Sequence, residues 1–196
     1  MTSAEIIASI IAAISLMISL FTAYRTLLAR FSGKAWPSTR LVLTHMDGIP
    51  SIGLACFFAN NGARPGILDD LRLTVKHRES GATYAFFPQL MRNDYSIFAS
   101  YSVPDWFPFS SVSLPARERI ERYVLFKPLN DRFTAQEGLY EASLEARWYK
   151  RQRWEVAPPE LHFELNQEVA KRWNDSVSPA IQVLSNDLLT HRKIIA

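Results

Sequence analysis

Residues 139–149, LYEASLEARWY, alternate between apolar and polar side chains over eleven positions. One face would carry Tyr140, Ala142, Leu144, Ala146 and Trp148, and the other Glu141, Ser143, Glu145, Arg147 and Tyr149. A period of two is typical of a strand with one buried and one solvated face. The stretch therefore predicts a half-buried β-strand.

Other segments carry similar strand signals. They are Arg40–Met46, Ser51–Asn60, Ile67–His77, Thr83–Phe87, Glu121–Phe126, Arg153–Val156 and Leu161–Leu165. Turn signals at Asn60-Asn61-Gly62 and at Glu79-Ser80-Gly81 separate neighbouring segments. Short strands separated by turns predict a mainly β domain, an antiparallel sandwich over residues 40–165.

The N-terminal residues have a different character. Ile6 to Tyr24 is an uncharged run of nineteen residues, bounded by Glu5 and Arg25. As a helix it would be about 28 Å long, close to the bilayer's hydrocarbon core of about 30 Å. A cleaved signal peptide would have a basic start and a shorter apolar stretch. A buried core helix is the other alternative, and we expect a retained single transmembrane helix.

The flanking charges predict an orientation. Arg25, Arg30, Lys34 and Arg40 follow the span, and no acidic residue occurs between the span and Asp47. The positive-inside rule then places residues 31–196 on the cytoplasmic side of a bacterial inner membrane, with the N-terminus on the outer side. The same four basic residues would contact anionic lipid at the membrane surface. The remaining sequence, 41–196, has equal numbers of basic and acidic residues, which argues against nucleic acid as a partner.

Small residues form a stripe along the predicted span. Ala8, Ala12, Ser15, Ser19 and Thr22 recur at spacings of three and four. Such stripes let membrane helices approach closely, and their hydroxyls can bond across the contact. The stripe predicts self-association, or packing on the span of a partner membrane protein. The alternative is that the hydroxyls bond to their own helix.

Four segments are predicted: a transmembrane helix with its flank (1–30), a basic juxtamembrane linker (31–39), the sandwich (40–165) and a helical tail (166–196). Leu165, Val169 and Trp173 are spaced by four, which predicts amphipathic helix. Ser178-Pro179 predicts the start of a second C-terminal helix, continuing through Ile181, Leu184 and Leu188 to His191-Arg192-Lys193.

Residues 88–119 contain four prolines and an aromatic cluster, Trp106, Phe107 and Phe109. We expect these aromatics to plug the sheet, or else to meet a partner or the membrane.

The order Gln136-Glu137-Gly138-Leu139-Tyr140 resembles the corner before strand F of immunoglobulin-like and fibronectin-like sandwiches, where a buried tyrosine follows a small residue. Ala142 stands where antibody-type domains have their second cysteine, and no Trp lies in the third predicted strand. The resemblance covers residues 40–165 and implies a binding or spacer module at the level of fold.

The strongest candidate ligand site is the stretch from Arg147 to Trp154. Its candidate contact residues are Arg147, Tyr149, Lys150, Arg151, Arg153 and Trp154. Cations pair with phosphates, and aromatic faces stack on bases. The stretch would suit a small anionic ligand or the membrane surface. The alternative is a plain hairpin, with Trp148 in the core and a solvated tip at Lys150-Arg151-Gln152.

No cofactor, metal site or catalytic motif is predicted. The histidines, among them His45, His77 and His162 with Glu164 nearby, lack the spacing of a metal site. Cys56, the single cysteine, lies in an apolar run and is expected to be a core residue.

The sequence thus predicts a membrane-anchored, non-enzymatic binding or signalling protein, for example an effector or sensor whose span forms a homo-oligomer. An accessory or assembly subunit of a larger inner-membrane complex is the second hypothesis. A membrane-tethered enzyme with an unfamiliar site is the third.

Overall fold

The computed structural model describes residues 2–93, 106–129, 133–151, 153–176 and 180–184. Helix α1 spans Ser3–Ala23 and continues as a π-helical turn, Tyr24–Leu28. Thr2 and Glu5 form a capping box at its start: the Thr2 side chain accepts from the Glu5 N–H, and the Glu5 carboxylate accepts from the Thr2 N–H at 2.9 Å. None of the residues of α1 or of the π-helical turn is buried.

In the described ranges, ten strands and one short helix follow. In chain order they are β1 (Gly33–Met46), β2 (Ile49–Asn60), β3 (Gly66–His77), β4 (Thr83–Arg92), β5 (Phe107–Pro108), β6 (Val112–Leu114), β7 (Arg119–Pro128), β8 (Gly138–Trp148), β9 (Glu155–Leu165), α2 (Gln167–Asn174) and β10 (Ile181–Leu184). The order of paired strands is β10-β1-β2-β7-β4-β3-β8-β9, with β5 on β4 and β6 on β3.

Every one of these pairings is antiparallel, and together they form a nearly closed, barrel-like sandwich. The mainly β, antiparallel prediction is therefore confirmed. The seam lies where the first half of β1 faces β9, and it contains a cleft of about 310 Å³ lined by residues such as Trp36, Trp148 and Val156.

The core follows the period-two patterns. Leu71, Leu73 and Val75 on β3 are fully buried, as are the even-numbered residues of β8 from Tyr140 to Trp148, which are at most 1% exposed. Cys56 is fully buried on β2, and burial raises the pKa of its thiol, as suits a core residue. The two segments predicted at Arg153–Val156 and Leu161–Leu165 form one strand, β9, from Glu155 onward.

The C-terminal prediction holds only for its first helix. α2 covers the segment of Val169 and Trp173, and Trp173 is buried with its indole N–H donating to the Thr44 and Ser51 carbonyls. The second helix is wrong over Ile181–Leu184, which pairs with β1. Pairing satisfies the backbone groups of Arg40–Leu43 that would otherwise form an open edge. Residues 177–179 and 185–196, with Leu188 and His191 to Lys193, lie outside the described residues.

The stretch predicted as a linker also differs from the structure. From Gly33 onward it belongs to β1 and pairs with β2, and Trp36 stacks on Phe57 with ring centroids 5.9 Å apart. Lys34 and Arg40 therefore lie on a strand. The register shifts between Pro37 and Leu41, where the proline lacks a backbone donor.

The aromatic cluster packs on the sheet where it is described. Phe107 forms part of β5, and both Phe107 and Phe109 pack against the main core. Trp106 lies 5.6 Å from Tyr123 between ring centroids and 5.3 Å from the guanidinium carbon of buried Arg92. These three aromatics therefore pack onto the sheet, as expected.

Candidate functional site

The loops at one end of the sandwich lie beside the C-terminal end of α1. These are the β2–β3 loop (61–65), the β6–β7 loop (115–118) and the β8–β9 hairpin tip (149–154), since β1 begins there and β2 ends there. We call this the helix-side end. The predicted ligand segment forms the hairpin tip, so the structure brings it to the same end as the basic flank of the span.

Hydrogen bonds join α1 to this end. The Arg117 guanidinium donates to the Arg25 carbonyl at 2.8 Å, and the Ala63 N–H donates to the Ala29 carbonyl at 3.0 Å. The last carbonyls of a helix have no partner within it, so Arg117 satisfies one of these groups and places positive charge where the helix dipole favours it. The Phe31 ring then packs edge-on against Trp148 at 5.4 Å. The C-terminal end of the helix is therefore hydrogen-bonded to the sandwich and is not connected to it by a free linker alone.

Asn60 organises this junction. Its side chain is 1% exposed, and its amide N–H groups donate to the carbonyls of Arg64 at 2.8 Å, Pro115 at 3.0 Å and Leu114 at 3.4 Å. Its Oδ1 accepts from the N–H of Gly62 at 2.9 Å and from that of Ser32 at 3.4 Å. One buried amide therefore holds the start of β1 and both neighbouring loops.

Arg147 is bound to carboxylates. A register shift between Leu68 and Asp70 on β3 adds one residue, and as a result both Asp69 and Asp70 reach Arg147, at 3.2 and 3.3 Å. Arg72 pairs with Glu145 on the same face. The Trp154 ring lies beside both guanidinium carbons, at 4.7 Å from that of Arg72 and 5.1 Å from that of Arg147.

The other residues of the predicted ligand segment are at the turn. Arg151 pairs with Glu155 at 2.6 Å, and the Trp148 indole donates to the same carboxylate at 3.1 Å. Lys150 has a left-handed backbone, and its ammonium lies 5.6 Å from the Tyr149 ring centroid. Arg153 and Tyr149 are exposed. The structure has the features of the plain hairpin, with Trp148 in the core and basic side chains at the tip.

Charge is distributed unequally between the two ends. Nine basic residues lie within 25–34 and the helix-side segments 61–65, 115–119 and 149–155, against two acidic residues, Glu118 and Glu155. The basic residues are Arg25, Arg30, Lys34, Arg64, Arg117, Arg119, Lys150, Arg151 and Arg153. The described residues of the opposite end (45–49, 77–83, 127–129, 133–138 and 164–176) include four basic and six acidic residues. Among these described segments, those of the helix-side end carry the net positive charge, and we call this end the positive pole.

The histidines have structural partners. His45 Nε2 lies 2.5 Å from the Trp173 carbonyl. His77 is buried: its Nδ1 lies 2.7 Å from Ser80 Oγ, and its Nε2 lies 3.0 Å from both the Glu137 carbonyl and the Glu79 carboxylate. His162 and Glu164 lie on β9. Within the described ranges, no group of three His, Cys, Asp or Glu side chains could hold a metal ion.

The small-residue stripe stays exposed along α1. Ser19 donates to the Ser15 carbonyl, and Thr26 to the Thr22 carbonyl, both at 2.8 Å. The Ser19 and Thr26 hydroxyls therefore bond to carbonyls of their own helix, which is the alternative to bonding across a helix–helix contact. Ala8, Ala12 and Ser15 face outward without a covering element, so association of this face stays a prediction.

Sequence reasoning did not place Asn60, Arg64, Arg117 and Arg119 together at the helix-side end. Asn60 was interpreted only as a turn residue, and the pair of arginines at 117 and 119 follows a proline in an irregular region. Contacts across 92 positions, such as that between Arg25 and Arg117, leave no local pattern.

No protein-family model matches this chain, and no curated protein matches its sequence. Among solved structures it is similar to a family 123 glycoside hydrolase from Clostridium perfringens (12% identity, TM-score 0.37), a match over 70% of this chain and 27% of that protein. It is also similar to an uncharacterized beta-sandwich protein from Clostridium difficile 630 (12% identity, TM-score 0.35), over 70% of this chain and 82% of that one. Likenesses at this level carry no function to this chain.

Proposed function

We propose that this chain is a single-pass membrane protein with a non-enzymatic, immunoglobulin-like sandwich that binds a partner or a small anionic signal on the cytoplasmic side. The observation that carries the proposal is that α1 and its π-helical turn, 26 apolar-rich residues from Ser3 to Leu28, contribute no buried residue to the fold. A helix of that length reaches about 39 Å, more than the hydrocarbon core requires. Its exposed leucine, isoleucine and phenylalanine side chains need an apolar partner, which a bilayer supplies.

The positive pole supports the orientation. Basic residues within about 15–20 positions of a span favour the cytoplasmic side, and Arg25, Arg30, Lys34 and Arg40 lie within that distance. Arg25, at the end of the apolar run, would lie at the level of the lipid headgroups, where the helix-side end of the sandwich begins.

Two features support the immunoglobulin-like assignment. The strand order β1-β2-β7-β4 followed by β3-β8-β9 has the A-B-E-D and C-F-G order of those sandwiches, with β4 joining the two sheets. The buried Tyr140 hydroxyl bonds back to the Gln136 backbone, as in a tyrosine corner.

Signalling would require the spans to associate. In this account the stripe at Ala8, Ala12, Ser15 and Ser19 forms a helix–helix contact, and binding at the sandwich rearranges the helices through the Arg25–Arg117 hydrogen bond. The stripe serves equally in an accessory subunit, where it would pack on another protein's span.

The test is the native mass of the full chain extracted in mild detergent. A defined homo-oligomer that the quadruple variant A8L/A12L/S15L/S19L converts to monomer, while still inserted, supports the proposal. The matched control makes four substitutions on the opposite face, I6L/I10L/A13L/M17L, which include one alanine-to-leucine change. A stoichiometric foreign membrane protein would favour the accessory subunit instead. A chain shortened at its N-terminus, or one that remains in the aqueous phase, would contradict the anchor.

A further inference from the structure

A polar cleft of about 370 Å³ lies at the junction of α1 and the sandwich. It is lined by Arg25, Asn60, Asn61, Arg117, Glu118 and Arg119. Its volume falls in the range of about 300–1,000 Å³ that is usual for small-ligand sites. Three of its six lining residues are arginines and one is a carboxylate, so the cleft has a net positive charge.

The three arginines are gathered without a matching set of acids. In the part of the chain that the structure describes, none of them has a carboxylate within 4.0 Å, whereas Arg72 on β3 and Arg147 and Arg151 of the β8–β9 hairpin do. Like charges held together destabilise one another unless an anion lies between them. Guanidinium groups stay charged at all physiological pH values and bind phosphate oxygens with two parallel N–H donors.

The backbone around the cleft is fixed in advance. Asn60 holds the β2–β3 and β6–β7 loops through its buried amide, and the Asn61 N–H donates to the Ser32 carbonyl at 2.9 Å. Arg117 has a left-handed backbone, and its guanidinium is held at the Arg25 carbonyl. Fixed donors reduce the entropy that binding costs.

The position of the cleft selects the ligand. Arg25 is the first charged residue after the apolar run, so a spanning α1 puts the cleft at headgroup depth. We infer that this cleft binds the phosphate headgroup of an anionic phospholipid. The inference rests on the proposed membrane anchor and deepens it: bound lipid would join the end of the helix to two loops of the sandwich.

The experiment measures the thermal unfolding of the purified full chain in dodecyl maltoside micelles, followed by tryptophan fluorescence. Phosphatidylglycerol is added in one arm, phosphatidylcholine in a second and inorganic phosphate in a third. At roughly ten times its Kd, phosphatidylglycerol should raise the Tm by about 3–5 °C. Phosphatidylcholine and inorganic phosphate should leave the Tm nearly unchanged.

Three variants make the result specific to the cleft. R117Q/R119Q should lose most of the shift, and K171Q/R172Q, a matched pair at the opposite end on α2, should keep it. E118Q removes the one carboxylate of the cleft and should reach the same shift at a lower lipid concentration. E118Q keeps the test decisive if R117Q/R119Q does not fold.

Equal shifts with both lipids, or a full shift in R117Q/R119Q, would overturn the inference. A shift with inorganic phosphate as large as that with phosphatidylglycerol would overturn the assignment to lipid. These outcomes are distinct from a failure of the membrane anchor, which would show as a chain released from membranes by alkaline carbonate.

Discussion

The Tyr140 hydroxyl donates to the Gln136 carbonyl at 3.0 Å and accepts from the Gln136 N–H at 2.9 Å. Tyr140 is 1% exposed and stacks on Phe163 with ring centroids 5.3 Å apart. Burial raises the pKa of its hydroxyl, which therefore stays protonated and able to donate. This pair fixes the start of β8 against the preceding loop.

Removing that hydroxyl should destabilise the sandwich. Y140F leaves the ring in the core but removes both hydrogen bonds to the Gln136 backbone, and a hydrogen bond contributes about 0.5–1.5 kcal/mol net. Thermal or urea unfolding in mild detergent measures the change. The control is Y149F, at an exposed tyrosine, which should change stability by less than about 0.5 kcal/mol. Equal effects of the two variants would mean that Tyr140 contributes only packing.

Asn60 should tolerate no replacement. N60A leaves five backbone groups short of a partner and should cost about 2–4 kcal/mol. N60D keeps the shape but points an acceptor at the carbonyls of Arg64 and Pro115, and it should be at least as damaging at neutral pH. N61D, the same change at the exposed neighbour, is the matched control for the unfolding measurement. If N60D were as stable as N61D, the junction would not depend on this amide.

The predicted ligand segment should divide into two groups. R147Q removes two carboxylate contacts and the contact with Trp154, so it should lower stability by about 1 kcal/mol. K150Q/R153Q changes exposed tip residues and should stay within about 0.5 kcal/mol. Unfolding midpoints of the two variants, compared at equal detergent concentration, test this division. A larger loss in K150Q/R153Q than in R147Q would show that the tip is a structural element and that Arg147 is not.

Glu79 should make stability depend on pH. The Leu139 N–H donates to its carboxylate at 3.0 and 3.1 Å, and this bond, helped by nearby His77 and Arg78, lowers the pKa of Glu79. A carboxylate with a lowered pKa in the folded state stabilises the fold above its ordinary pKa, and the contribution is lost as the pH falls through the folded value. E79Q should therefore be less stable than the native chain at about pH 7, and the difference should shrink as the pH falls through the lowered pKa of Glu79. E164Q, an exposed glutamate on β9, serves as the control, and a gap in E79Q that persists in acid would refute the linkage.

The predictions that rested on a period of two in the sequence were confirmed. Alternation in β3 and β8 identified the strands and their buried faces, and the order from Gln136 to Tyr140 pointed to the corner that the hydrogen bonds form. The strand at Ile181–Leu184 was missed because its pairing with Arg40–Leu43 depends on an open edge that only the assembled sheet presents. The same holds for Gly33–Pro37, whose pairing with β2 outweighs the proline and the basic flank.

The helix-side cleft lay beyond sequence reasoning for a related reason. Arg25 and Arg117 were visible as basic residues, but their juxtaposition depends on how β1, β2 and β7 align. The turn signal at Asn60 correctly predicted that the chain reverses direction there. It gave no indication of the three carbonyls that the Asn60 amide binds. Long-range polar contacts of this kind are set by topology, and a single sequence does not display them.

Cysteine labelling in intact bacterial cells determines on which side of the membrane each end of α1 lies. Cys56, the single native cysteine, is fully buried, so the native chain gives little background with a membrane-impermeant maleimide. S3C, at the start of α1, should label in intact cells, and K150C, at the exposed hairpin tip, should label only after lysis. Labelling of K150C in intact cells, or equal labelling of both positions, would contradict a span that separates the N-terminus from a cytoplasmic sandwich.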